Sequence, residues 1–226
     1  MTPSSIDRAC GRMSEIAKIY DEIADSYFHL RSRPWPEVEL VDSGPVLDLG
    51  CGSGRNASYL MRKGFEVVCA DISLGMLNVA SRIFSGERVQ CDAAFLPFRD
   101  GSFSTVLYIA TLHHLEDGLR LRSLMEVRRV LKDDGKAIIS VWALFQPRFF
   151  KKFPEMFLNF IKGGEFRDVY VPWRKGGRVF MRYYHLFTRS EFLSLLRKAG
   201  FSEIEYYKRS FRSRFFAENH VAVVRK

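Results

Sequence analysis

The chain has 226 residues, 47% of them hydrophobic and 27% charged, with a formal net charge of +9, a composition typical of a globular domain with a full core. No run approaches the roughly 20 apolar residues of a membrane span, and residues 1–11 lack the apolar core of a signal peptide, so we expect a cytoplasmic protein without stable membrane insertion. None of the cysteines forms a C-x-x-C pair or has a histidine at zinc-finger spacing, which argues against a metal site.

The first predicted element is a helix over residues 14–28, for which Ser14 is a plausible N-cap. One face of this helix carries Ile16, Ile19, Tyr20, Ile23 and Tyr27. The prolines of the next segment, RSRPWPEVE, should end the helix at Arg33, because the residue before a proline avoids helical backbone. Residues 14–44 are therefore predicted to form an N-terminal helix and a lid over cofactor and substrate.

From residue 45 onward, short apolar segments alternate with helices. The predicted strands cover residues 45–49, 65–70, 88–91, 103–110 and 137–142. The predicted helices cover residues 55–63, 73–84 and 117–131, with Ser73 as an N-cap and the turn KDDGK after the last. Strands that are apolar almost throughout and are separated by helices indicate a parallel sheet covered on both faces. Residues 45–142 are expected to form this cofactor-binding core.

The pattern changes after residue 142. The run RFFKKFPEMFLNFIKGG is basic, aromatic and interrupted by proline, so residues 143–187 are predicted to be a basic insertion outside the sheet. Residues 188–226 should add a helix over 190–199, capped by Thr188 or Ser190 and followed by Gly200 at the C′ position. Two antiparallel strands, over 201–207 and 220–224, should then fill the far edge. The predicted fold class is α/β, a doubly wound, Rossmann-like, mostly parallel seven-stranded sheet.

The excess of positive charge lies in the last third of the chain. Residues 1–147 contain 17 Lys and Arg against 19 Asp and Glu, whereas residues 148–226 contain 18 against 7. This asymmetry favours a polyanionic partner, either nucleic acid or an anionic membrane surface, over a merely solvated basic surface. The cations that alternate with aromatic residues are Arg148, Lys151, Lys152, Arg174, Lys175, Arg178, Arg182, Lys208, Arg209, Arg212 and Arg214.

The most informative motif is VLDLGCGSG, a strand that enters a glycine-rich turn before a helix. Glycine is needed where the backbone turns tightly and approaches a ligand. The spacing is G-x-G-x-G rather than G-x-G-x-x-G, so the ligand need not contain a pyrophosphate. Asp71 ends the second strand, where it can accept both hydroxyls of a ribose. Asp92 follows the third strand and can accept an adenine amine, with small Ala93 and Ala94 beside it. The alternative is an α/β domain with coincidental aspartates.

These residues resemble the class I methyltransferase family over about residues 45–142. The resemblance implies that S-adenosylmethionine is the cofactor, that Asp48, Gly50 and Gly52 hold its methionine part, that Asp71 binds ribose, and that Asp92 with Ala93 binds adenine. The product would be S-adenosylhomocysteine. The expected cofactor site is completed by Tyr20, Leu49, Ile72 and Ile109.

The flanking segments IYDEIADSYFHLRSRPWPEVE and DVYVPWRKGGRVFMRYYHLFTRSEF, with SVWALFQ, are similar to the tRNA wobble-uridine carboxymethyl methyltransferases. That resemblance implies methyl transfer to the carboxylate of a carboxymethyl group on a uridine in the anticodon loop of tRNA, which gives a methyl ester. Relatives in eukaryotes and archaea have a small zinc-binding activator subunit as partner. We expect such a partner at the sheet edge near Val89, because an exposed strand edge invites strand addition.

A carboxylate is ionised at neutral pH and needs no general base, so the enzyme must desolvate and orient it. Arg31, Arg33 and Arg182 are the candidates for steering it. His113 and His185 are candidates for hydrogen bonds to the substrate, although both could instead be structural, and Arg33 could be a surface charge. Trp35 is equally suited to stacking on a base and to stapling the N-terminal helix.

Two other functions stay open from the sequence. The chain could methylate a small amphiphilic molecule, such as a quinone precursor or another lipid-like acid, taken from a membrane by the run RFFKKFPEMFLNFIKGG. It could also be a scaffold that binds cofactor and RNA without catalysis, against which the intact aspartates and the unsubstituted glycines argue.

Overall fold

A computed structural model describes residues 5–163, 166–210 and 216–226, with the backbone alone for residues 5–14 and 159. Arg212 and Arg214 lie outside the described residues. The strands are β1 Val46–Leu49, β2 Val67–Asp71, β3 Glu87–Gln90, β4 Phe103–Ile109, β5 Leu131–Trp142, β6 Asp168–Lys175, β7 Arg178–His185, β8 Glu203–Arg209 and β9 Asn219–Arg225. The α-helices are α1 Ser5–Leu30, α2 Arg55–Arg62, α3 Leu74–Ala80, α4 Asp117–Val130, α5 Phe153–Ile161 and α6 Arg189–Lys198.

Seven strands form one sheet in the order β3-β2-β1-β4-β5-β9-β8. The first five are parallel, whereas β9 is antiparallel to both β5 and β8. The predicted fold class is confirmed, including the third strand at one edge and the antiparallel pair at the other. Apolar side chains of the central strands, such as Val106 and Ile138, are fully buried, because helices cover both faces of the sheet.

Two predicted helix caps are present. Ser73 Oγ accepts a hydrogen bond from Met76 N at 3.0 Å, and Thr188 Oγ1 accepts one from Glu191 N at 3.2 Å, so Thr188 rather than Ser190 caps α6. Gly200 follows α6 with φ of +92°, the left-handed conformation that glycine adopts most easily.

The N-terminal helix differs from its prediction at both ends. It begins at Ser5, so Ser14 lies inside it and is not an N-cap, and it ends at Leu30, before Arg33. The start was missed because the apolar periodicity begins only at Ile16, and a helix can continue beyond its amphipathic part. After it, Pro36–Leu40 forms a 3₁₀ helix.

The insertion lies outside the seven-stranded sheet, as predicted, but the sequence did not predict the strands that it contains. Strands β6 and β7 form a separate antiparallel hairpin. Gly176 and Gly177 form its turn with φ of +54° and +75°, the positive values that a tight two-residue hairpin turn requires. Ahead of the hairpin, a 3₁₀ helix over Pro147–Lys152 leads into α5. The turn KDDGK was also misassigned, because β5 begins at Leu131 and includes it.

Helix α1 is held against α3 by polar contacts in its C-terminal half. Asp21 Oδ1 accepts hydrogen bonds from Ser73 Oγ at 2.6 Å and from Gly75 N at 2.7 Å, and Arg82 lies 2.7 Å from Asp25. No helix among residues 5–163, 166–210 and 216–226 is long and apolar enough to cross a membrane.

Candidate active site

An open cavity lies at the carboxyl ends of β1, β2 and β4. Parallel sheets bind ligands at this end. Eight of the predicted cofactor residues line it: Tyr20, Leu49, Gly50, Gly52, Asp71, Ile72, Ala93 and Ile109. Other wall residues were not predicted as cofactor contacts, among them Arg55, Asn56, Met76, Thr111 and His114.

The glycine loop is held close to the tip of β2. Gly50 N donates to Ala70 O at 2.7 Å, and a Cβ on Gly50 would lie 2.2 Å from Thr111 Oγ1, so this position tolerates no side chain. A Cβ on Gly52 would meet only a Tyr27 ring carbon, at 3.8 Å. The backbone of Gly52 therefore borders open space in the cavity, as a cradle for a ligand requires.

The Asp71 carboxylate is oriented by backbone donors at the end of β2. Its Oδ2 accepts from Gly52 N at 2.8 Å and its Oδ1 from Ser73 N at 2.9 Å. A carboxylate has about four acceptor sites, so acceptor sites remain for a ligand's hydroxyl groups. Burial raises the pKa of Asp71 to about 6, although these N–H donors oppose the rise. The residue thus fits the ribose-binding role expected for it.

Neither Asp48 nor Asp92 lines the cavity: Asp48 lies behind its wall, and Asp92 lies between two wall residues. Asp48 is 1% exposed, and its Oδ2 accepts from Ala57 N at 3.2 Å, which ties the start of α2 beneath the loop. Burial raises the pKa of Asp48 to about 7. Asp92 Oδ1 accepts from Ala94 N at 2.8 Å, in a turn whose neighbours Cys91 and Ala93 are wall residues. Their assigned ligand contacts stay predictions.

The pH dependence of cofactor affinity follows from Asp71. Because burial raises its pKa to about 6, the ionised form dominates above that pH and is the better acceptor for two hydroxyls. We expect S-adenosylmethionine affinity to fall as the pH drops through 6, and the proton on Asp71 accounts for at most about tenfold per pH unit. Calorimetric titration across this range would measure it. The control Asp71→Asn should bind more weakly without that inflection, and an unchanged inflection would assign it elsewhere.

Helix α1 closes one side of the cavity through Tyr20. Its hydroxyl lies 2.9 Å from His114 Nε2, and His114 Nδ1 lies 2.8 Å from Tyr183 O. A carbonyl only accepts, so Nδ1 carries the hydrogen and Nε2 accepts from Tyr20. Burial lowers the pKa of His114 to about 3, so the imidazole is neutral at ordinary pH. His114 thereby holds the lid helix against the hairpin strand β7.

A double-mutant cycle tests this lid contact. His114→Phe removes the acceptor and should weaken S-adenosylmethionine binding by about fivefold, since a net hydrogen bond contributes about 1 kcal/mol. Tyr20→Phe should cause a similar loss by calorimetry, and the double variant no more than either single change, because one contact is lost in all three. Fully additive losses would mean that the two side chains act separately.

Neither predicted histidine is placed at the cavity wall. His113 is 1% exposed, its Nδ1 accepts from Trp142 N at 3.2 Å, and burial lowers its pKa well below the usual value. His185 is fully buried, with Nδ1 2.8 Å from Asp168 Oδ1 and Nε2 3.0 Å from Glu191 Oε1. Both lie behind the wall in this structure, and their hydrogen bonds to the substrate stay predictions. The imidazole at the wall belongs to His114, which the sequence could not distinguish from its neighbour.

The three predicted arginines have different surroundings. Arg31 and Arg33 are exposed and outside the wall, although Tyr27 and Trp35 close to them in sequence line it. Arg182 is only 7% exposed. Of the three arginines, only Arg182 is buried, and the other two lie at the surface.

Arg182 is sandwiched between aromatic rings. Its Cζ lies 4.9 Å from the ring centre of Trp173 and 5.4 Å from that of Tyr184, and its buried Nε has no hydrogen-bond partner. Burial acts to lower its pKa, but the nearby Tyr184 and Tyr20 outweigh burial and the pKa is raised. A guanidinium is protonated at ordinary pH in any case, so the group is charged. No carboxylate among residues 5–163, 166–210 and 216–226 forms an ion pair with it. A buried cation without a counter-ion is costly, which indicates an anionic ligand.

Trp173 joins the hairpin to the lid. Its Nε1 donates to Ser26 Oγ at 2.9 Å, and its ring stacks on Tyr27 at 5.5 Å between centres. Trp35 is a wall residue whose N donates to Asn56 Oδ1 at 3.0 Å, which links the segment after α1 to the glycine loop. No cluster of three or more His, Cys, Asp and Glu side chains in the described ranges could hold a metal ion.

Comparisons with known proteins agree with this geometry. A family model described as a methyltransferase domain matches residues 47–139. A tRNA (carboxymethyluridine(34)-5-O)-methyltransferase of Schizosaccharomyces pombe is 31% identical in an alignment that covers 84% of this chain and 90% of that protein. A putative methyltransferase of Encephalitozoon cuniculi is 33% identical over 201 residues, or 84% and 89% of the two chains. The crystal structure of a SAM-dependent methyltransferase from Methanosarcina mazei has the same fold, with a TM-score of 0.70 at 22% identity, covering 86% of this chain and 98% of its own.

Proposed function

The chain belongs to the S-adenosylmethionine-dependent methyltransferase family that includes the fission-yeast tRNA carboxymethyluridine methyltransferase, and from this premise we propose that it methylates the carboxylate of a 5-carboxymethyluridine-type wobble base in tRNA. The product is a methyl ester on the modified uridine. The observation that carries the choice of a carboxylate acceptor is the buried, uncompensated guanidinium of Arg182.

The cofactor-binding part of the proposal uses the loop and strand tips. Gly52 leaves room for the methionine part beside the Gly50 backbone, Asp71 accepts from the ribose, and the turn at Asp92 and Ala93 holds the adenine. When bound, S-adenosylmethionine supplies an electrophilic methyl group on a sulfonium. The Tyr20 hydroxyl, held by His114, closes the cavity and excludes water from the reacting groups.

Arg182 is proposed to bind and orient the substrate carboxylate. The carboxylate is already ionised, so the site requires no proton acceptor, and the neutral imidazole of His114 fits this requirement. The two aromatic faces around the guanidinium fix its plane, and its buried Nε–H has no partner among the described residues. Arg31 and Arg33 stay candidates for contacts at the cavity rim, as cations that the incoming substrate meets first.

Recognition of tRNA is proposed for the basic surface of the last third. Arg174, Arg178 and Lys208 are exposed there. Exposed cations neutralise phosphates and release counter-ions, so binding should weaken steeply with salt. We expect tRNA affinity to fall by about tenfold or more between roughly 50 and 200 mM salt in filter-binding assays. A flat response would contradict this role for the surface.

An activator subunit is the proposed protein partner, with docking at β3. This strand is the sheet edge, with Glu87, Arg88 and Gln90 exposed and Val89 partly so. An unpaired edge offers backbone donors and acceptors to a strand of another chain. Since the substrate is tRNA, we also propose a cytoplasmic site of action.

One experiment tests the proposed reaction. The protein is incubated with labelled S-adenosylmethionine and bulk tRNA, with and without a candidate activator, and the nucleosides are identified by mass spectrometry. The expected product is the methyl ester of a carboxymethyluridine, which mild alkali hydrolyses with loss of the label as methanol. Label in a base or ribose that resists alkali would contradict a carboxylate acceptor. Label in a small lipid-like acid but not in tRNA would favour the alternative substrate class.

A further inference from the structure

Helix α5 presents large apolar side chains to solvent. Met156 faces inward and is 1% exposed, whereas Phe157, Leu158, Phe160 and Ile161 are 56%, 57%, 56% and 65% exposed. Residues at spacings of three and four share a helix face, so these four form one continuous surface. Nothing in the proposed methyl transfer uses them.

Aromatic neighbours extend this surface. Phe160 contacts Phe166 at 6.4 Å between ring centres, and Phe150, which is 38% exposed, contacts Phe153 at 5.7 Å and Phe216 at 5.3 Å. We call residues 148–163 with Phe166 and Phe216 the α5 patch. Contiguous exposed apolar surface of this kind marks an interaction site.

The charge around the α5 patch is positive. Residues 148–163 contain four Lys and Arg and one acidic residue, a net charge of +3. The single acid, Glu155, lies 3.7 Å from Lys152, while Arg148, Lys151 and Lys162 are exposed at the two ends of the segment. The patch therefore combines a protruding apolar face with flanking cations.

We propose that the α5 patch is a reversible docking site for an anionic membrane surface. Phenylalanine and aliphatic side chains enter the boundary between headgroups and acyl chains, and the flanking cations contact anionic headgroups. Nine residues are too few to span a bilayer, so the contact is peripheral. RNA accounts for the patch less well, because Leu158 and Ile161 have no ring to stack on a base. The proposal does not depend on the identity of the methyl acceptor.

Vesicle sedimentation with the full chain tests the proposal. We expect binding to phosphatidylcholine vesicles that contain phosphatidylserine, and little to phosphatidylcholine alone. Phe157→Ser with Phe160→Ser should lower this binding by about tenfold or more, and Lys151→Glu with Lys162→Glu should remove the preference for phosphatidylserine. The matched control is Met125→Ser on α4, where the side chain is 55% exposed, and it should bind as the parent does. Unchanged thermal unfolding would show that the variants fold.

Other results would overturn the proposal that the α5 patch docks on a membrane. The docking assignment fails if the parent protein does not sediment with either vesicle, or if the phenylalanine variant binds as well as the parent. If that variant instead loses tRNA affinity, the patch is an RNA contact. If it changes the molecular mass in solution from a dimer to a monomer, the patch is covered by a second copy.

Discussion

Gly52→Arg should abolish measurable S-adenosylmethionine binding while leaving the domain folded. A Cβ at Gly52 points into the cavity, where Tyr27 at 3.8 Å is its nearest neighbour, so a long side chain would occupy the space of the ligand. The backbone there has φ of +53°, which costs a non-glycine residue about 1–2 kcal/mol. This cost is smaller than the stability of an ordinary domain. Calorimetry with S-adenosylmethionine and thermal unfolding would measure the two effects.

Gly101→Arg provides the matched control. Gly101 has φ of +64°, close to that of Gly52, and no atom lies within 4 Å of the added Cβ. It lies in the turn before β4, outside the cavity wall. Both variants should therefore lose a similar amount of stability, but only the Gly52 variant should lose the cofactor. Retained affinity in Gly52→Arg, or equal loss in both, would contradict the placement of the cofactor in this loop.

Arg182→Met should reduce the rate of methyl transfer to tRNA by about 10²–10³-fold, the effect expected when one partner of a buried charge pair is removed. Methionine fills similar space between Trp173 and Tyr184, so the change mainly removes charge and donors. S-adenosylmethionine affinity should change only a few-fold, because the predicted cofactor contacts that line the cavity, such as Gly52 and Asp71, do not include Arg182. Single-turnover rates and calorimetry separate the two quantities. Arg182→Lys keeps the charge without the planar fork and should recover part of the rate.

Arg178→Met is the control on the same strand. Arg178 is exposed and lies over the Phe180 ring at 5.1 Å, so its loss removes an equal charge and a similar ring contact at the surface. We expect a small, salt-sensitive effect on tRNA binding and no large effect on the single-turnover rate at saturating tRNA. Equal rate losses in the two variants would mean that general basicity, not carboxylate binding, explains the role of Arg182.

Sequence alone was sufficient where local chemistry decides structure. Parallel strands buried on both faces must be apolar almost throughout, so their alternation with helices predicted the fold, and the positions of Ser73 and Gly200 predicted helix ends correctly. The glycine loop and Asp71 were identifiable because a strand tip followed by a tight turn has a distinctive residue pattern.

Tertiary structure decided which of several equivalent side chains reach the site. Arg31, Arg33 and Arg182 have the same chemistry, and only the last is buried, because the hairpin places it between the rings of Trp173 on β6 and Tyr184 on β7. His114 rather than His113 faces the cavity because Tyr20, 94 residues away in sequence, meets its ring. Strands β6 and β7 pair only with each other and not with any strand of the main sheet. Burial and hydrogen-bond partners arise from contacts between distant segments, and no local pattern encodes which segments will meet.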